Sequence, residues 1–493
     1  MELNKKWCVW TVFSSLAILI IIAGVIAIVD PFFHYHKPLE QLSYRLGNQS
    51  YINPGIVRQF EYDTLIAGTS MTENFKPSYF KEVLGANAVK VPYPGGRSKN
   101  MSIIIDMALK SNPNLKTVYL GLDMSMMKYD IEATRSPLPE YLYDTNFFND
   151  INYLLNKDVL LERVAYNIVM TINGEASTTF DEYSYWQDKH TISQYAVMDA
   201  NWGIEMEDST NMTLDETLSL SYDNLRENIL PLIEAYPDIK FVIFYPPYSI
   251  LFWYRNYADH ELRILEHSIK ALLPYENVEL FLFLNESALV TNLYNYRDTR
   301  HYNADANMYM VDCFKNGTHR LTSENYEAEL EQLSTLVNSF DYGLLFGESN
   351  PFILESNYLR YLSKLNDSRY ITFFVTRMNT PVSSYDILGN QYLTLGLDNS
   401  KSNFGYAAII DDQNAIFQES SDDAILFNGT VDGMSVSLVS ETRKGKNYIE
   451  VIIDGVKYTT NQAGVNIVVY DKVLARVMDN IAVNIEDGSI TRN

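Results

Sequence analysis

The sequence predicts an α/β protein with an N-terminal transmembrane helix, a domain built on a parallel sheet, and a smaller β-rich α+β domain. Three patterns predict it. An uncharged apolar run opens the chain. Short apolar runs then alternate with helical stretches up to about residue 345. Beyond about 346, tight-turn dipeptides separate strand-like runs. A length of 493 residues fits roughly two to three domains.

The opening run, Trp7 to Val29, carries no charge. At ~1.5 Å per residue it reaches ~34 Å, enough to cross a bilayer core. Lys5 and Lys6 precede it and Asp30-Pro31 ends it. Residues 1–6 are therefore expected as a cytoplasmic tail and 7–29 as a single-pass anchor in the cell membrane, with the bulk of the chain extracellular. An Ala-x-Ala-like cleavage site does not follow, so a retained signal-anchor is favoured over a cleaved signal peptide. Residues 30–60 form a juxtamembrane segment. Its Phe32-Phe33-His34-Tyr35-His36 stretch is expected at the outer membrane interface.

Composition narrows the function classes. The chain is 47% hydrophobic and 20% charged, so it can bury a core. The formal net charge of −24 disfavours nucleic-acid binding, which needs a basic face. The two cysteines, Cys8 in the anchor and Cys313 far beyond it, cannot form a disulfide framework. A large extracellular domain without disulfides points to a bacterial cell envelope. His34 and His36 alternate without further ligands, and no Cys/His cluster has zinc spacing. Neither a metal nor a cofactor is expected. The 37 Tyr residues suit sugar contacts and ordinary cores alike.

Strands are expected at Thr64–Ala67, Ala88–Val91, Thr117–Leu122, Phe241–Tyr245 and Val278–Leu284. Helices are expected at Asn100–Leu109, Tyr222–Ala235 and His260–Leu273. The strands read as short apolar runs, several rich in Val, Ile and aromatics, as in strands covered on both faces. Residues 129–215, rich in Tyr, Asn and Asp, read as an insertion or lid. These elements make a domain over 61–345. Residues 346–356 read as a polar linker, and 357–493 as a self-contained second domain. That domain combines a helix, Asn357–Leu365, with strands at Tyr370–Thr376, Ala407–Ile410, Ser435–Val439, Tyr448–Ile453 and Val465–Tyr470. Turns are expected at Asn428-Gly429, Asp432-Gly433 and Asp454-Gly455.

Two motifs carry chemistry. Asp63-Thr-Leu-Ile-Ala-Gly68-Thr69-Ser70 is a strand that breaks at a Gly just before a Ser. Asp298-Thr-Arg-His301 places an acid three residues before a His. A hydroxyl becomes a nucleophile when an imidazole takes its proton, and the imidazole needs a carboxylate to set its tautomer. Taken singly, Ser70 reads as a helix cap and Asp298–His301 as a surface turn. Their order changes this reading. One follows the first strand and the other the last, and in doubly wound sheets those strand ends share one crevice.

This arrangement resembles the SGNH (GDSL-like) hydrolase superfamily over roughly residues 60 to 340. Gly68-Thr69-Ser70-Met71 stands for the nucleophile block, Val91-Pro-Tyr-Pro-Gly95-Gly96-Arg-Ser98 for the second, Gly121-Leu-Asp123-Met124 for the third, and Asp298–His301 for the last. The resemblance implies a flavodoxin-like three-layer fold, an acyl-enzyme on Ser70, His301 as base and then acid, and Asp298 as its orienter. Ser70, Gly96 and Asp123 would form the oxyanion hole, with Asp where the family has Asn. Arg97 and Lys99 would meet an anionic substrate. With its anchor, the chain looks like the surface-polymer acyl-transfer proteins, such as the D-alanine transfer protein of teichoic acid modification. Those proteins often work with a multi-spanning membrane O-acyltransferase. The function implied is an extracellular serine O-acyltransferase or deacylase (an esterase) for polysaccharide modification, acting on a cell-surface glycan or teichoic-acid-like polymer. The alternative is a catalytically inactive SGNH-fold glycan-binding scaffold in a polymer assembly complex.

The stretch Gly464-Val-Asn-Ile-Val-Val-Tyr-Asp471 through Val477-Met-Asp479 resembles the interleukin-like EMT inducer domain, with the Gly-x-Asn strand last instead of early; Tyr370–Thr376, a helical stretch around Leu388–Leu397 and Phe404–Ile410 fit the rest of it. That resemblance leaves a carbohydrate-binding role and a purely structural one open.

Overall fold

The computed structural model describes residues 2–200, 212–255, 258–377, 405–412, 414–421, 423–441, 447–458, 462–484 and 487–492. Among them one helix, Glu2–Val29, is long and apolar enough to cross a membrane, over Lys6–Val29. Its far end is not free. Ile26 and Val29 are buried against the body. Asp30, at φ 43°, ends the helix and turns the chain. Its buried carboxylate accepts the N–H groups of His34, Tyr35 and His36 at 2.9, 2.7 and 3.0 Å, and the Tyr153 hydroxyl at 2.8 Å. The aromatic stretch expected at the membrane interface is thus packed inside protein. Phe32 and Phe33 are only 4% and 1% exposed. His34 Nε2 meets Asp150 Oδ1 at 3.1 Å, a structural contact.

The first sheet holds β1 (Thr64–Gly68), β2 (Ala88–Pro92), β3 (Thr117–Gly121), β4 (Lys240–Tyr245), β5 (Val278–Leu282) and β6 (Arg320–Leu321), in the order β2-β1-β3-β4-β5-β6. Every pair among the first five is parallel, and β6 is antiparallel. The two-residue β6 has no apolar run to announce it, and the sequence reading missed it. β1 and β2 are buried along their whole length, with Lys90 in the middle of β2 donating its Nζ to Glu73 O and Phe75 O at 2.6 and 2.9 Å. Helices fall into two packed sets. Pro77–Leu84 packs on Ala304–Asn316. Ser98–Ser111 packs on Gln49–Gln59 and on the stretch Leu225–Ala235, while Leu214–Asn224 packs on Ala258–Leu272. The strand order reverses between β1 and β3, and crevices for ligands form at such reversals.

The C-terminal part is antiparallel. It contains β7 (Tyr370–Arg377), β8 (Gly405–Asp411), β9 (Asn414–Ser421), β10 (Ile425–Val431), β11 (Met434–Glu441), β12 (Tyr448–Ile453), β13 (Val456–Lys457), β14 (Gly464–Asp471), β15 (Arg476–Val483) and β16 (Ile490–Arg492). These make two sheets, β10-β11-β12-β13 and β16-β15-β14-β7-β8-β9. Strand alternation divides the core. Ile371, Phe373 and Val375 face the smaller sheet, while Tyr370 and Phe374 face the helix Tyr358–Lys364. Asp432-Gly433 and Asp454-Gly455 form the expected tight turns, with positive φ at all four residues. Asn428-Gly429 does not turn. Both residues lie inside β10, paired with Ser437 and Val436. The helical stretch expected around Leu388–Leu397 lies outside the described residues.

The polar stretch 346–356 is not a loose tether. Asn350 is buried, and its amide donates to Leu344 O and Met478 O at 3.2 and 2.7 Å. Tyr294, from the loop after β5, enters the C-terminal core beside Ile371 and Tyr458. The Asn292 amide donates to the Tyr458 hydroxyl at 2.6 Å. The α/β part therefore lends Leu344 and Tyr294 to the C-terminal cores, which the polar character of 346–356 did not foretell.

Candidate active site

β1 ends at Gly68, whose φ of 155° suits only glycine. A Cβ there would lie 2.6 Å from Thr72 Cγ2. This tight exit lets the chain turn at once into the single helical turn Ser70–Thr72. Ser70 is thereby lifted to the C-terminal tip of an inner strand. Thr69 beneath it is buried and donates its hydroxyl to Asp123 Oδ2 at 3.0 Å.

His301 arrives from a closed loop. Tyr296 and Tyr302 bridge its base, and Arg297 N–H donates to His301 O at 2.9 Å. Thr299 O accepts both the N–H and the hydroxyl of Ser249, at 3.0 and 2.8 Å, which ties the loop to the segment after β4.

The two motifs, 231 residues apart, meet. Ser70 Oγ lies 2.8 Å from His301 Nε2. His301 Nδ1 lies 2.7 Å from Asp298 Oδ2, and Asp298 Oδ1 accepts the N–H groups of Arg300 and His301 at 2.9 Å each. Burial raises the Asp298 carboxyl, but the His301 bond and charge with the two N–H donors outweigh it and bring it down to about 2. A carboxylate so held fixes the proton on Nδ1 and leaves Nε2 free to accept from Ser70. The Trp186 ring meets His301 edge-on at 5.8 Å and walls one side. Ser70 is partly exposed, and the His301 side chain is 24% exposed, so a substrate can reach both.

A further tie holds the pair in register. Met71 O, next to the Ser, accepts the Tyr302 hydroxyl at 2.8 Å and the Asn307 amide at 3.2 Å. Tyr302 follows the His directly, so one buried hydroxyl joins both motifs. The sequence reading missed Tyr302, although its place beside His301 could have marked it.

The other expected site residues differ from their assigned roles. Gly96 N–H donates to Tyr93 O at 2.7 Å, closing a turn, so in this conformation it is not aimed at an oxyanion. Asp123 acts only as an acceptor. Its oxygens take bonds from Thr69, from the N–H and hydroxyl of Ser125, and from the Tyr248 hydroxyl. Burial works against its charge, yet Arg300 and those donors hold it below the usual carboxylate range. A charged acceptor cannot stabilise an oxyanion. Its place is instead under the Ser70 turn. Lys99 pairs with Glu132 at 2.9 Å, and the Arg97 guanidinium stacks 4.1 Å above the Tyr129 ring. Both charges have intramolecular partners, which sequence spacing does not reveal. No group of three or more metal-ligating side chains occurs among the described residues.

No family model and no curated protein matches this chain. Among solved structures, a protein of Streptococcus pneumonia provisionally assigned as a platelet activating factor matches 55% of this chain and 89% of its own. The identity is 11% and the TM-score is 0.29.

Proposed function

We propose that the chain is a membrane-anchored SGNH-type serine acyltransferase or esterase. The observation that carries this reading is the unbroken line Ser70–His301–Asp298, drawn together from opposite ends of the α/β part. The strand order β2-β1-β3-β4-β5 supports a flavodoxin-like, three-layer arrangement.

In this mechanism His301 Nε2 takes the Ser70 proton as Oγ attacks an acyl carbonyl. The imidazolium, steadied by Asp298, returns the proton to the leaving alcohol, and an acyl group remains on Ser70. An incoming hydroxyl, from a glycan or from water, then gives its proton to His301 as its oxygen attacks the acyl carbon; the Ser70 Oγ–acyl bond breaks, and His301 returns that proton to Ser70 Oγ. The Ser70 N–H opens a helical turn, where backbone donors have no partner within the helix, and it is read as an oxyanion donor. The acceptor is read as a cell-surface polysaccharide or teichoic-acid-like polymer outside the membrane, and a multi-spanning acyltransferase as the acyl supplier. The C-terminal sheets, with their likeness to the interleukin-like EMT inducer domain, are read as a carbohydrate-binding support.

One observation favours a second reading. With Gly96 N–H committed to Tyr93 and Asp123 unable to donate, two expected oxyanion donors are missing. An inactive glycan-binding scaffold would show the same. A fluorophosphonate probe separates the two, because only an activated serine reacts. Labelling of the full chain that is lost in Ser70→Ala supports the enzyme. An unlabelled, folded wild-type chain counts against the enzyme and favours the scaffold.

A further inference from the structure

We propose that the elements clasping the end of the N-terminal helix form an apolar seat that sinks into the adjoining lipid leaflet. The body then rests on the membrane instead of swinging from a stalk. This inference rests on the membrane-spanning reading of that helix and not on the acyl-transfer chemistry.

Length supplies the first argument. Ile22 and Val25 pack partly, and Ile26 and Val29 fully, against the body. The stretch left uncovered, Trp7 to Ile21, spans only ~22 Å at ~1.5 Å per residue, against a hydrocarbon core of ~30 Å. About 8 Å of the core must then be met by the last two turns together with whatever sheathes them. Ile28, on their open side, is 64% exposed and apolar, as contact with lipid requires.

The sheath has the matching chemistry. Helix Ile151–Leu154 and the turn Val159–Val164 pack on the membrane helix, and helix Ala165–Ile172 continues from that turn. In this region Phe147, Phe148, Ile151, Leu161, Val169 and Ile172 are 72, 89, 58, 67, 52 and 77% exposed. The helix Ala165–Ile172 buries Asn167 and Met170 and leaves Ile168, Val169 and Ile172 exposed. Its Asn167 accepts Arg45 N–H at 3.2 Å. Apolar side chains so exposed beside a spanning helix fit acyl chains, with the exposed Lys157–Asp158 pair of the same stretch at the headgroup level.

Rigidity supplies the third argument. The four bonds to the Asp30 carboxylate and the His34–Asp150 contact leave no slack between helix and body. The seat and the helix therefore enter the leaflet together.

The test uses the full chain, purified and placed alone in phosphatidylglycerol/phosphatidylcholine nanodiscs. Nitroxides are attached to F148C, I172C, I20C and L426C in a Cys8→Ser background, with buried Cys313 left in place and the parent as blank. At 148 and 172, oxygen should collide with the label more often than a water-soluble nickel chelate does. At exposed Leu426 on β10 the order should reverse. If 20 is lipid-shielded but 148 and 172 behave like 426, the seat is refuted and the anchor stands. If 20 is also water-accessible, the spanning reading fails and the seat falls with it. Shielding of 148 and 172 in native membranes but not in nanodiscs would assign the patch to a protein partner and overturn the proposal.

Discussion

Replacing Asp298 by Asn tests the charge line at the point where its geometry is most demanding. The substitution keeps the volume, and one oxygen still accepts the Arg300 and His301 N–H groups. The amide now faces His301 Nδ1, where a carboxylate oxygen stood at 2.7 Å. Two donors cannot meet, so Nδ1 must become the acceptor and the ring proton must move to Nε2. There it points at Ser70 Oγ, 2.8 Å away, and the base is lost. Comparable tautomer traps cost ~10⁴ in rate, about 5.5 kcal/mol of barrier. The cost to folding is smaller. A carboxyl brought from 3.8 down to about 2 contributes roughly 2 kcal/mol, fully present above pH ~4 and lost as the pH falls through about 2. At pH 8 the variant should thus unfold a few degrees lower while its fluorophosphonate labelling rate falls ~10⁴-fold. Labelling within tenfold of wild type, on a folded variant, would refute the assignment of Asp298.

Three further outcomes are expected. Ser70→Ala and His301→Ala should each remove acyl transfer nearly completely, and the double variant should be little worse, since such residues act as a unit; multiplying losses in single-turnover assays would contradict this. Tyr302→Phe, which removes the hydroxyl on Met71 O, should cost about 1 kcal/mol in denaturant unfolding yet up to ~100-fold in kcat, because it loosens the Ser–His register; a rate change no larger than the stability change would deny Tyr302 a positioning role. Burial pushes the Glu73 carboxyl up to about 7, so folding disfavours its charge, and stability falls as the pH rises from ~4.5 to about 7; Glu73→Gln should therefore stabilise the chain by up to about 3 kcal/mol at pH 8 and by little at pH 5, read as Tm at both pH values.

Much of the molecule was legible one segment at a time. The five parallel strands announced themselves because burial on both faces favours mostly apolar runs. The two Asp-Gly turns did so because positive φ favours Gly and Asp. The Asp298–His301 pair was legible because three residues suffice to bring a carboxylate to a ring nitrogen within one loop. Asn428-Gly429 shows the limit of such local reasoning. The same dipeptide that closes hairpins lies inside β10, where pairing with β11 overrides its turn preference.

By itself, then, the sequence determined what short range governs: the long apolar N-terminal helix, the strands, the Gly68 exit and the Asp298–His301 pair. The tertiary structure alone decided which groups far apart in sequence become partners. It joined Ser70 to His301 and Tyr302 to Met71. It turned Asp123 from an oxyanion donor into an acceptor beneath Thr69, occupied Gly96 N–H with Tyr93, and drove Tyr294 into the C-terminal core. The physical reason is the same throughout. A buried polar atom must find a partner, and which one it finds depends on how the elements pack together.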